Sequence, residues 1–309
     1  MSNVPFKGII PPLATPLADR DALDVAGLER LIPHVLDGGV HGLFLLGTTG
    51  EGPSLSHRLQ QEFVTRCAQL VDRRAPLLVG VTDTSVEESL ALCRHAADAG
   101  ADAVVLAAPY YFPMHQQDLV RYVQEFAAAS PLPVLLYNMP SHTKTDFSVD
   151  TVRRLMLEAE NVVGVKDSSG NMLYFQQLVA LSAERPGFSI LMGPEELLAA
   201  AVLMGGNGGV CGGANLVPSL YCELYETALT GDLLQMHRLQ QRVMRLSSRL
   251  YAVAPPPTGY LTGLKTALSL LGICSDRLSE PLYQMEPAAR QRLEQHLRDL
   301  GLQLVPRDT

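Results

Sequence analysis

The sequence predicts an α/β fold, a (β/α)8 TIM barrel with a C-terminal helical extension. Three observations carry this prediction. Short β-rich apolar runs recur eight times along the first two-thirds of the chain, some 20 to 35 residues apart. Amphipathic helical patterns lie between them, and the last part of the chain, from about Leu233, carries helical patterns only. Continuous apolar strands alternating with helices imply a parallel sheet covered by helices. A doubly wound open sheet is the alternative, weakened because no GxGxxG turn follows the first strand.

The first run, Gly8–Ile10, precedes the helical pattern Asp24–Asp37. Gly42–Leu46 then leads to His57–Val71, Leu77–Val81 to Val86–Ala99, and Ala103–Ala107 to Gln117–Ala128. In the same way Val134–Tyr137 leads to Val149–Leu157, Val162–Lys166 to Leu173–Ala183, and Ser189–Met192 to Glu195–Met204. Gly209–Cys211 is the eighth run. Ser56, Ser85 and Ser148 stand where N-caps belong, since their hydroxyls can accept from the free amides of a first turn. Helices are expected at Leu233–Ala252, Thr258–Leu271 and Pro287–Leu300, with Pro255–Pro257 parting the first two because proline cannot continue a helix. We expect residues 1–230 to form the barrel and 231–309 a helical appendix too small and too apolar on one face to stand alone.

In such a barrel, functional groups sit at the C-terminal ends of the strands. The sixth strand delivers Lys166, one of only four lysines among 24 basic residues. Burial disfavours an ammonium, and a carbonyl-attacking amine must be neutral; the other reading is a structural lysine paired with Asp167 or another acid. The second strand runs into Gly47-Thr-Thr-Gly-Glu51. Its backbone either turns amides toward an anion such as a carboxylate or forms a tight turn capped by Thr48 and Thr49. The fourth ends in Pro109-Tyr-Tyr111-Phe-Pro113, where tyrosines are packing or interface groups. Tyr137 ends the fifth, as a proton-relaying phenol or a satisfied core group. The glycines of 205–209 and 212–213 admit a phosphate or close backbone packing.

Composition limits the function. A net charge of −8 argues against nucleic acid or anionic membrane as partner. The opening residues 1–7 carry no apolar stretch and no later run is long enough to span a bilayer. Five cysteines without a CxxC pair fit a reduced, cytoplasmic compartment. The eight histidines include no HxH or HExxH pair, so no metal is expected, and no GxSxG elbow marks a serine hydrolase.

Taken in order and spacing, Gly47-Thr-Thr-Gly-Glu51, Pro109-Tyr-Tyr111, Tyr137-Asn-Met-Pro140, Gly164-Val-Lys-Asp167 and Gly205-Gly-Asn-Gly-Gly209 resemble the dihydrodipicolinate synthase / N-acetylneuraminate lyase family. These are pyruvate-type class I aldolases, and the resemblance covers essentially the whole chain. It implies a homotetramer built from dimers, and no cofactor beyond a covalent Schiff base between substrate and lysine. By the same resemblance Lys166 is the Schiff-base lysine and Tyr137 the phenol beside it. Thr48 and Thr49, framed by Gly47 and Gly50, hold a keto-acid carboxylate and link the relay. Tyr111 is the tyrosine inserted into a neighbouring subunit's site, and Gly193 and Val210 line the pocket.

The sequence departs from the synthases at the fifth strand. They typically read Tyr-Asn-x-Pro-x-Arg-Thr-Gly, whereas this chain has Tyr137-Asn-Met-Pro-Ser-His142-Thr-Lys144. An arginine that grips a second carboxylate is thus replaced by His142, which is largely neutral near pH 7 and offers no such fork. Gly52-Pro-Ser-Leu-Ser56 and Tyr110-Tyr-Phe-Pro113 look more like the 2-keto-3-deoxy-sugar-acid aldolases. Ser168 then either hydrogen-bonds a substrate hydroxyl or caps the start of the next helix. The expectation is an aldolase for a 2-keto-3-deoxy sugar acid or similar hydroxy-oxo acid. The synthase, a dehydratase of the same family and a non-catalytic metabolite-binding protein are the alternatives.

Overall fold

The computed structural model describes residues 6–254 and 259–305. Eight parallel strands follow one another around a barrel: β1 (Gly8–Ile9), β2 (Leu43–Leu45), β3 (Leu77–Gly80), β4 (Ala103–Ala107), β5 (Val134–Asn138), β6 (Val162–Asp167), β7 (Ser189–Met192) and β8 (Gly208–Gly209). Each pairs with its neighbours in sequence, and β8 returns to β1. The ring closes between β1 and β2 through a bridge from Pro12 to Phe44, where the Phe44 amide donates to Pro11 O at 2.9 Å and Leu13 N to Phe44 O at 2.8 Å.

Strand alternation sorts the core into two parts. Ile10, Phe44, Leu78, Val105, Leu135, Tyr137, Leu191 and Val210 form the cluster inside the barrel. Their neighbours in the strands, such as Leu45, Val104, Leu136 and Ile190, pack outward under the helices.

The connecting helices are α1 (Val25–Asp37), α2 (His57–Val71), α3 (Val86–Ala99), α4 (Gln116–Ala129), α5 (Val149–Glu158), α6 (Met172–Leu181), α7 (Leu198–Leu203) and α8 (Pro218–Thr230). Ser56, Ser85 and Ser148 cap α2, α3 and α5 as their positions predict. The eighth helix has no counterpart among the expected elements. It buries Leu220, Tyr221, Leu224, Tyr225 and Ala228, packing on α7, β1 and the following helix Leu233–Tyr251. A short hairpin (Leu17–Asp19 with Ala22–Leu23) and a single turn at Pro140–Thr143 are further additions. The expected helix Glu195–Met204 opens as a 3-10 turn at Glu195–Leu197, and the eighth strand lies at Gly208–Gly209 rather than Gly209–Cys211.

Three helices follow the barrel: α9 (Leu233–Tyr251), α10 (Gly259–Leu270) and α11 (Pro287–Asp299). The expected proline break at Pro255–Pro257, and Thr258, lie outside the described residues. Leu239, Val243, Leu246 and Leu250 give α9 a buried stripe at helical spacing, which packs on α8 and α10.

Candidate active site

The geometry begins with register. Tyr137 of β5 lies opposite Lys166 of β6, and Asn138 opposite Asp167. Alternation therefore sends Tyr137 and Lys166 into the barrel and the next pair outward. Asn138 Nδ2 donates to Asp167 Oδ1 at 2.9 Å, and the Ser169 amide and hydroxyl donate to the two Asp167 oxygens at 3.0 Å. Burial raises the Asp167 carboxyl above its ordinary value, and these bonds offset it only in part. Asp167 thus locks the two strands together. It is not the partner of Lys166, which corrects that reading of the lysine.

Lys166 is only 5% exposed. Its Nζ lies 3.9 Å from the centroid of the Tyr137 ring and 5.0 Å from that of Phe44. Among the described residues no carboxylate pairs with it. The Tyr137 hydroxyl is 3.2 Å from Thr48 Oγ1. Burial alone would raise this phenol, but the Lys166 charge, together with hydrogen bonding from Thr48, Lys166 and Ser168, holds it below its ordinary value.

The loop carrying Thr48 is tightly wound. Leu46 and Glu51, at its two ends, both have φ of 56°, a left-handed conformation that is costly for side-chain-bearing residues. The Glu51 amide donates to Thr48 O at 3.0 Å, and Thr15 Oγ1 to Gly50 O at 2.6 Å. A side chain at Gly47 would collide with the Phe44 ring at 2.6 Å, and one at Gly50 would meet Leu13 O at 2.8 Å. Among the described residues no acceptor meets the amides of Thr48 and Thr49. The loop is therefore both a capped turn and a source of free donors.

Gly193 N donates to Asp167 O at 2.7 Å, and a Cβ there would lie 1.9 Å from Ser168 Oγ. Ser168 thus packs on Gly193 and faces Tyr137. It does not start the next helix: Asn171 caps α6, which corrects that alternative. Val210 is buried in the barrel interior.

Above these groups opens a cavity of about 440 Å³, lined among others by Phe44, Gly47, Thr48, Thr82, Tyr110, Tyr137, Ser141, His142 and Tyr260. His142 sits exposed at its rim, with Nδ1 3.0 Å from Ser141 Oγ. Partial desolvation first, and then the nearby Lys166 charge, hold its imidazole below the usual range. Lys144 ends the Pro140–Thr143 turn and points to solvent. The single chain does not bring Tyr111 to this cavity: Tyr111 is 70% exposed, edge-on to Phe112, and Tyr110 is the lining residue. Nor do the glycines of 205–209 reach it. They precede or form β8 and so belong to the opposite end of the barrel, where Gly208 lies so close to the Gly8 backbone that a Cβ would be 2.1 Å from Gly8 O.

Two buried polar clusters that no local motif announces lie beside the site. In one, Glu51 bonds Lys265 and Ser279. In the other, Glu195 accepts from Gly213 N and from Tyr221 OH, both at 2.7 Å. Burial pushes the Glu195 carboxyl up to about 7, despite those bonds. A carboxyl raised in the folded state binds its proton more tightly there than when unfolded. Its folded-state penalty is therefore absent at about pH 4, grows as pH rises, and levels off above about pH 7. Replacing Glu195 by glutamine should remove this dependence. Urea denaturation near pH 5 and near pH 8 should show the wild type losing up to about 3 kcal/mol more than the variant; equal losses would contradict the assignment.

The arrangement is an amine in a shielded barrel mouth, a phenol against it, and hydroxyl and amide donors one strand away. A model of the Dihydrodipicolinate synthetase family matches residues 5–300 of the chain. The chain belongs to this family. The structure of a dihydrodipicolinate synthase from Bacteroides thetaiotaomicron superposes with a TM-score of 0.93 at 48% identity, covering 96% of this chain and 99% of that one. YagE, a family member from Escherichia coli K12 solved in complex with pyruvate, superposes with a TM-score of 0.91 at 29% identity, covering 96% and 99%. Among curated proteins, the Probable 2-dehydro-3-deoxy-D-pentonate aldolase YjhH of Escherichia coli K12 is 32% identical over 87% of this chain and 88% of its own length. The protein is an enzyme of the carbon–carbon lyase type, a pyruvate aldolase of the dihydrodipicolinate synthetase family.

Proposed function

We propose that this family member is a Schiff-base aldolase that cleaves a 2-keto-3-deoxy sugar acid, or a related hydroxy-oxo acid, to pyruvate and an aldehyde. The observation carrying the substrate class is the cavity wall. Its uncharged polar groups include Ser54, Gln60, Thr82, Tyr110, Ser141, Tyr260 and the His142 imidazole. Glu51, the one carboxylate in the wall, is bonded to Lys265 and Ser279, and among the described lining residues there is no guanidinium. Hydroxyls and a neutral imidazole suit a polyol chain, whereas a second carboxylate calls for an arginine fork.

In this mechanism Lys166 attacks the C2 ketone in its unprotonated form, and the N–C bond of a carbinolamine forms as an amine proton passes to the carbonyl oxygen. Tyr137, relaying through Thr48, protonates the departing hydroxyl; water leaves and a cationic iminium remains. The free amides of Thr48 and Thr49 hold the substrate carboxylate, with Gly47 and Gly50 shaping their loop; a place for Gly193 and Val210 beside the substrate rests on the family resemblance. The iminium accepts the electron pair of the C3–C4 bond as it breaks, and the C4 hydroxyl gives its proton to the Tyr137 phenolate left by the dehydration and becomes the aldehyde. Protonation of the enamine at C3 and hydrolysis then release pyruvate and restore Lys166. Ser168 supports the phenol, and no other cofactor takes part.

The exposed Tyr111–Phe112 pair fits a homotetramer in which Tyr111 reaches a neighbour's site. Among the described residues no helix is long and apolar enough to cross a membrane. The five cysteines are free, as a cytoplasmic enzyme would have them.

The test is substrate turnover. Pyruvate release from 2-keto-3-deoxygluconate-like acids should far exceed condensation of pyruvate with aspartate semialdehyde. Efficient condensation would instead support the second reading, 4-hydroxy-tetrahydrodipicolinate synthase, which is favoured by the 48% identity to the Bacteroides thetaiotaomicron structure. His142→Arg should shift the ratio of the two kcat/KM values toward aspartate semialdehyde by about 10-fold or more. An unchanged ratio would remove His142 from substrate selection.

A further inference from the structure

We propose that Glu51, Lys265 and Ser279 form a positioning device for the proton relay, by which the C-terminal helices fix the loop that presents Thr48 to Tyr137. This rests on the Schiff-base reading above and extends it to residues outside the barrel. Lys265 lies in the middle of α10, its side chain 1% exposed, and its Nζ meets Glu51 Oε1 at 2.7 Å. The other carboxylate oxygen accepts from the Ser279 amide at 2.6 Å and its hydroxyl at 2.7 Å. The three bonds tie Glu51 to residues more than 200 positions further along the chain.

Stability alone is a poor reason for such a cluster, because a buried ion pair rarely stabilises more than apolar side chains of the same volume. What it supplies is a fixed geometry. Glu51 holds a left-handed backbone at φ 56°, a conformation its side chain disfavours, and the three bonds keep it there. From that position its amide donates to Thr48 O, and Thr48 Oγ1 lies 3.2 Å from the Tyr137 hydroxyl. One line of contacts thus runs from Lys265 through Glu51 and Thr48 to Tyr137, whose ring covers Lys166 Nζ. The same helix also lines the cavity through Tyr260 and Leu261.

The experiment compares the wild type with the double variant Glu51→Gln/Lys265→Met, which removes both charges together and so buries no unpaired ion. The readout is the rate of borohydride-trappable adduct formation with pyruvate, as a function of pyruvate concentration and pH. With Thr48 loosened, the maximal rate should fall by about 10- to 100-fold while the half-saturating pyruvate concentration stays within about threefold. The pH limb belonging to the Tyr137 phenol should move upward, because the Thr48 bond that lowers it is weakened. A folded double variant with the wild-type rate and profile, or a change in half-saturation alone, would overturn the proposal. Ser279→Ala, which keeps the ion pair, decides the matter if the double variant does not fold: a maximal rate lowered by about threefold or more supports the device, and an unchanged one overturns it. A wild type that forms no adduct would instead sink the Schiff-base reading itself.

Discussion

Lys166→Met is expected to lower aldol cleavage by at least about 10⁴-fold while leaving the fold intact. Methionine keeps the length and apolar body of the lysine stem, and among the described residues no ion pair is lost with the amine. The aromatic shelf of Tyr137 and Phe44 remains to pack against it. In the proposed mechanism no covalent electron sink forms without the amine, and the C3–C4 bond has no route to break. Steady-state pyruvate release, read with an unfolding curve, checks both halves. A folded variant retaining more than about one per cent of the wild-type rate would remove Lys166 from the chemistry.

Tyr137→Phe carries the second-largest effect, a loss of about 10²- to 10⁴-fold in kcat with KM nearly unchanged. The substitution deletes one oxygen and keeps the ring, so the edge-on contact with Phe44, with centroids 6.3 Å apart, survives. What disappears is the hydroxyl bonded to Thr48, which is the proton carrier in the proposed mechanism. Because the phenol is held below its ordinary value by Lys166 and its hydrogen-bond partners, its ionisation should shape the wild-type pH–rate profile. That limb should be absent from the variant. A variant with wild-type kcat, or one that keeps the limb, would assign the relay elsewhere.

Period-two alternation makes much of the barrel legible in the sequence. Each expected barrel strand overlaps an observed one, because runs buried on both faces carry their own apolar signature. Alternation also contains the answer for Asp167, which must point away from Lys166 when both belong to one strand. Two kinds of feature were harder to see. The helix Pro218–Thr230 buries Tyr221, Leu224, Tyr225 and Ala228 at helical spacing, but its buried face carries two tyrosines and its exposed face carries Leu229, so the hydrophobic contrast in the sequence is weak. Pairings across the chain leave no local trace: Glu51 sits within an apparent turn motif and Lys265 in an unrelated helix 214 residues away. Lys265 did carry a clue, as one of the four lysines set in the apolar run Leu264-Lys-Thr-Ala267. Tyr111 stands exposed against Phe112 in the single chain, so the neighbouring site proposed for it is a question for the assembly and not for this fold.

The most direct test of the mechanism is reduction with borohydride in the presence of pyruvate, followed by peptide mass mapping. The predicted result is one reduced pyruvate adduct per chain, on the peptide containing Lys166, and none without borohydride. An adduct on Lys7, Lys144 or Lys265, or no adduct at all, would contradict it.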